Sequence, residues 1–229
     1  MIPVITGELI RILLVLIMIT AALIISTRSL STLIRVYSIQ SCMIAVVAVI
    51  LFLMIEDVTL LLIALITLVV KVFLIPGFIK KIQKTIHIRR DIEFCYLNPA
   101  GSIILSLVIM VLLYLVFSRI LHEFALQNPL FFLGGISGVS LMLMGLLVTF
   151  SRKKAITKVI GYLSMENGVL LFGCFTTELP FIIEFMILID LVILVLLITI
   201  LTIGIDSSLE EYHKSLIEHH LWPKQEADE

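Results

Sequence analysis

The sequence predicts an all-α integral membrane protein of seven transmembrane helices, with its N-terminus outside and its C-terminus cytoplasmic. Three observations predict it. Of 229 residues, 61% are hydrophobic and only 14% charged, against roughly 45–50% and 25% in soluble domains. Seven apolar stretches each approach or exceed the roughly 20 residues that a helix needs to cross the hydrocarbon with its backbone groups paired internally. The cations then fall on one side. With the N-terminus outside, Arg28, Arg35, Lys80, Lys81, Lys84, Arg89, Arg90, Arg152, Lys153, Lys154, Lys158, Lys214 and Lys224 lie at or near the cytoplasmic side, and only Arg119 lies outside.

The first span, 7–26, is expected to remain in the mature protein. It lacks a basic leader and a small-residue cleavage motif, and Glu8 and Arg11 open it. Arg11 is near enough to an outer end to snorkel. The second and third spans are 33–55 and 58–79. The third carries Lys71 in its inner half, followed by Pro76 and Gly77, which are expected to weaken the helix and expose carbonyls to a wet cavity. A cationic loop over 80–98 follows, suited to lipid headgroups or a cytoplasmic partner, and the fourth span is 99–121. The fifth and sixth, 129–150 and 155–176, carry spaced glycines at Gly134, Gly138 and Gly145 and at Gly161 and Gly168, a pattern for close helix packing. The seventh is 180–204. Beyond Asp206, Ser207 or Ser208 with Glu210 or Glu211 makes a capping box, and Leu209, Tyr212, Leu216, Ile217 and His220 follow helical spacing up to Pro223, as a short amphipathic helix would.

The first and last thirds repeat one layout at an offset of about 124–126 residues. SerThrArgSerLeuSer from Ser26 answers to SerArgLysLysAlaIle from Ser151, and GluAspValThr from Glu56 to GluLeuPro from Glu178. Lys71 answers approximately to Asp190. Residues 1–80 thus form one three-helix repeat and 129–205 a second of the same orientation. Residues 81–128 supply the basic loop and the linking fourth helix that restores the outside start, and 206–229 form a cytoplasmic tail.

Charged side chains near the bilayer centre cost at least about 2.5–3.5 kcal/mol each, so they face protein or water and commonly serve a purpose. Glu166 and Asp190 each lie about eleven residues into their spans, from opposite sides, and at 1.5 Å per residue both reach roughly 16 Å deep. Two acids meeting there can hold one proton between them and release it when a neighbouring charge changes. Lys71 is the third ion of this proton path, and Glu184, six residues before Asp190 and on a different helix face, is a fourth candidate. Ser38, Gln40, Ser41, Thr67, Ser164, Asn167, Thr199 and Thr202 could carry water among them. A static buried ion pair that fixes helix packing is the competing reading.

Several activities find no support. Sixteen Lys and Arg against 17 Asp and Glu leave no cationic footprint for nucleic acid. Cys42, Cys95 and Cys174 lack metal or disulfide spacing. His87, His122, His213, His219 and His220 lie in loops, ends or tail, where they cannot ligate an intramembrane haem. No phosphate loop or nucleophile motif appears, so bond chemistry and a cofactor on this chain are not expected.

The run from Leu143 to Gly168, ending GlyTyrLeuSerMetGluAsnGly, resembles the first hairpin of the chain K subunit of bacterial complex I and its cation-antiporter relatives. The chain up to its tail is similar to component E of hydrogenase-4-type, formate-hydrogenlyase-like complexes, through Gly161–Gly168, the acid-bearing last helix at Asp190 and LysValPheLeuIlePro at Lys71–Pro76. The resemblance implies a multi-pass, membrane-arm subunit of the prokaryotic inner membrane, in a complex that couples a redox reaction to ion translocation. Its partners would be other membrane subunits, antiporter-like ones included, with nickel-iron and iron-sulfur centres on partner subunits and none here. Chain K places its first intramembrane Glu one helical turn earlier than Glu166 and has Glu where this chain has Asp190. A purely structural linker between ion-pumping subunits and an autonomous secondary transporter are the alternatives.

Overall fold

The structure is a computed structural model that describes residues 2–27, 29–85, 99–152, 155–176, 188–190, 192–193, 195 and 199. The described residues are helical with no β-strand. In chain order the elements are α1 (Ile2–Ser26), α2 (Leu30–Ile55), α3 (Val58–Ile66), a π-helical segment (Thr67–Leu74), α4 (Ile75–Thr85), α5 (Pro99–Ile120), α6 (His122–Gln127), α7 (Pro129–Ser151) and α8 (Ala155–Cys174). Among the described residues, five stretches are long and apolar enough to cross a membrane: Ile5–Ser26, Leu30–Ile55, Val58–Lys81, Ile103–Ile120 and Pro129–Ser151. The protein is therefore an all-helical, multi-pass membrane protein. The sixth expected span coincides with α8, which has the necessary 20 residues but carries Lys158, Glu166 and Asn167. Of the seventh, 180–204, residues 188–190, 192–193, 195 and 199 are described and helical; the tail lies outside the described residues.

The third expected span is one continuous rod that changes register partway. The turn before it is tight, with Glu56 left-handed at φ 61° and Asp57 capping α3 by accepting the Thr59 N–H at 2.9 Å. After Ile66 the rod widens into the π segment, where the Ile75 N–H bonds the Val70 carbonyl five residues back. Pro76, the residue next in line, has no N–H to offer the Lys71 carbonyl. Pro76 and Gly77 are expected to weaken this helix at their own positions. Instead α4 runs straight through them to Thr85, and the irregularity sits upstream, around Lys71 itself.

Helices α1, α2, α7 and α8 form the core. Lipid is as apolar as leucine, so nothing drives such helices together except close packing and polar contacts. The closest pair is α7 with α8, and glycine explains it. A Cβ at Gly145 would strike the Met165 backbone, one at Gly168 the Met142 backbone, one at Gly138 the Phe172 backbone, and one at Gly161 the Thr149 nitrogen and hydroxyl. Backbone cannot move aside as a side chain can. Gly145→Val is accordingly expected to cost about 3 kcal/mol, the upper range for overpacking, and to lower the yield of folded chain recovered from membranes; an unchanged melting temperature in detergent would refute this.

Candidate functional site

Three elements converge on one enclosed ionic cluster. The π segment turns Thr67 and Lys71 inward together, both fully buried. Helix α8 presents Glu166, 1% exposed, from the strip beside its glycines, and the last helix presents Asp190 at 9%. Lys71 Nζ lies 2.9 Å from Glu166 Oε1. The Glu166 carboxyl also neighbours Asp190, close enough for the two acids to interact electrostatically. The Tyr37 hydroxyl of α2, also fully buried, faces both acids and Ser41.

Counting charge shows what this arrangement can do. One ammonium and two carboxylates would leave a net negative charge in a place shielded from bulk solvent, and an uncompensated buried charge costs several kcal/mol. Two neighbouring carboxyls also repel one another unless one carries a proton, since an ionised carboxylate only accepts hydrogen bonds. One proton satisfies both requirements. Held between Glu166 and Asp190 beside Lys71, it makes the cluster neutral, and the pair titrates as a unit.

A polar file runs from this cluster across the core. Ser164 donates to Gln40 Oε1 at 3.2 Å and Asn167 Nδ2 to the same oxygen at 3.3 Å and to Ser41 at 2.9 Å. Gln40 in turn donates to the Thr20 hydroxyl at 3.3 Å. The file links α1, α2 and α8. Several oxygens around it, the Tyr37 hydroxyl, Thr67 Oγ1, Asn167 Oδ1 and both Asp190 oxygens, are buried without a hydrogen-bond partner among the described protein groups, the pattern of a site that takes up water or a proton.

The structure therefore brings Lys71, Glu166 and Asp190 together; Glu184 and Thr202 lie outside the described residues. Of the polar side chains picked from sequence, Gln40, Ser41, Ser164 and Asn167 join the file. Ser38 and Thr199 instead bond carbonyls one turn back, at Ile34 and Val195. Arg11 is exposed and paired with Glu8 at 3.0 Å.

Two residues went unnoticed in the sequence. Tyr37 lies in a mixed polar and apolar run, ArgValTyrSerIleGlnSer, that does not single it out. Arg152 looked like one of a run of surface cations, yet it is 1% exposed, and its Nη2 donates to the carbonyls of Ile24, Ile25 and Thr27 at 3.0, 3.1 and 2.9 Å. It closes the C-terminal end of α1, where carbonyls have no helical partner. Burial pushes its guanidinium down to about 10, still charged at neutral pH. Arg152→Ala is expected to cost about 2–4 kcal/mol, from lost bonds to a charged donor, read as a lower denaturation midpoint with ion transport retained in the surviving fold; a midpoint like the wild type's would contradict the clamp.

None of the protein-family models, curated proteins or solved structures compared with the chain matches it.

Proposed function

We propose that this chain is a membrane-arm subunit of an energy-converting, hydrogenase- or complex-I-like assembly in the prokaryotic inner membrane, and that it relays protons or charge through Lys71, Glu166 and Asp190. The observation that carries the reading is the enclosed cluster of one ammonium and two carboxyls, which is neutral with one proton and acquires charge whenever that proton leaves. Chemistry on nickel-iron and iron-sulfur centres belongs, on this reading, to partner subunits. Glu184 stays a candidate for the outer end of the path.

Seven spans in two parallel three-helix repeats, N-terminus outside, are the topology that goes with it. The hydrogen bonds joining α2 to α8 and Arg152 to the end of α1 connect positions 124–128 apart. That interval brackets the offset of the sequence repeat, so repeat-related positions meet at one depth.

The tight 2.9 Å ion pair favours a second reading, a structural linker whose ions are silent. The two differ in the Lys71→Met/Asp190→Asn chain, which leaves Glu166 free to take a proton and stay neutral. A relay loses ion transport in inverted membrane vesicles while assembly persists. Transport at the wild-type rate would leave the linker standing.

A further inference from the structure

We propose that the seam between α1, α5 and α7 is a binding site for one anionic phospholipid, its phosphate on Arg11 and an acyl chain in the groove below. A cavity of about 440 Å³ opens there, lined by Leu14, Met18, Ile103, Met110, Leu133 and Met144 among others. Its polar lining residues are Arg11, Ser106 and Ser137. The Ser106 hydroxyl is already spent on the Ile103 carbonyl at 2.7 Å. A groove so apolar, with a guanidinium on its wall, matches an amphiphile with a negative head.

Geometry and charge both fit. From Arg11 to Ala22, the span of α1 that lines the groove, is eleven residues, about 16 Å of helix. That is close to half of a hydrocarbon core about 30 Å thick, the depth reached by a chain of one leaflet. Arg11 uses Nη1 on Glu8 Oε1 at 3.0 Å, and a guanidinium has five donors in all, in a fork suited to phosphate. The remaining donors are at hand for a headgroup.

The site also answers a packing problem. Helix α5 packs chiefly on α1 and α7 and leaves Ile104, Val111, Leu115 and Ile120 exposed. Between helices that lipid does not push together, a void forfeits dispersion contacts on both walls. An acyl chain wedged in the seam restores them and ties α5 to both of its neighbours.

The test uses the full chain taken from vesicles of equal parts phosphatidylglycerol and phosphatidylcholine, washed in maltoside detergent and weighed by native mass spectrometry. The wild type is expected to keep one phosphatidylglycerol. Arg11→Ala should lower that retention about tenfold, as loss of one charge-assisted contact predicts, and Arg11→Lys should fall between. Ala22→Phe, which fills the groove and spares the cation, should abolish retention of either lipid. Retention of only detergent by the wild type overturns the proposal, as does equal phospholipid retention in Arg11→Lys and Ala22→Phe. So does a seam closed by a second copy of the chain, seen as a dimer free of phospholipid.

Discussion

On the proposed relay, Glu166→Gln is expected to abolish redox-coupled proton movement, while the proposed complex still assembles and keeps its redox activity with an artificial acceptor. Glutamine has the size of glutamate and can still accept from Lys71, so shape survives; what it cannot do is bind and release a proton. Charge also stays balanced. With Glu166 neutralised, Asp190 ionises as the counter-ion of Lys71, and the cluster remains neutral without the shared proton. Moving one charge across 100 mV stores about 2.3 kcal/mol, and one pKa unit is about 1.4 kcal/mol, so loss of a single titrating group is enough to remove the coupling. Proton uptake into inverted vesicles, followed with a pH-sensitive dye, reads the outcome. Pumping at the wild-type rate in this variant, with assembly verified by co-purification, would sink the relay.

Lys71→Met has the opposite character, a large loss of stability. It leaves Glu166 and Asp190 facing one another with no cation, in a site where all three groups are at most 9% exposed. Breaking a buried pair by removing one partner costs about 3–5 kcal/mol, because the other charge is left uncompensated. Lys71→Met/Glu166→Gln removes the orphaned acid and leaves Asp190 able to hold a proton, so most of the loss should return. The comparison is made by thermal unfolding of the full chain in detergent. A double variant no more stable than Lys71→Met alone would mean that the lysine contributes by packing its stem, not by its charge.

How much of this site could be seen in advance differs from residue to residue. Glu166 and Asp190 were conspicuous because an acid in the middle of an apolar run is expensive, and helix rise alone places both at one depth. Lys71 was conspicuous for the same reason, but its partner was not. The bridge to Glu166 depends on the π register of Thr67–Leu74, which adds nearly a residue per turn. Hydrophobic period does not reveal this in a helix that is apolar on most faces. Pro76, five residues after Lys71, is the available clue, as a residue expected to weaken the helix. Arg152 was hidden for a different reason: SerArgLysLys is what a solvated basic turn looks like, and only the approach of α1 turns one of its cations inward.

The sequence by itself determined that the chain is helical, that it crosses a membrane several times, and which ionisable groups lie deep within it, because each of these follows from the cost of placing polar groups in hydrocarbon along a single helix. Which of those groups touch is decided only by the tertiary structure. The faces of α7 and α8 that meet are set by where Gly138, Gly145, Gly161 and Gly168 allow backbones to approach. That approach, together with the widened turn at Lys71, brings an ammonium and two carboxyls from distant segments within reach of a single proton. Contacts of this kind depend on the relative rotation of helices, and among side chains as apolar as the surrounding lipid no local pattern encodes it.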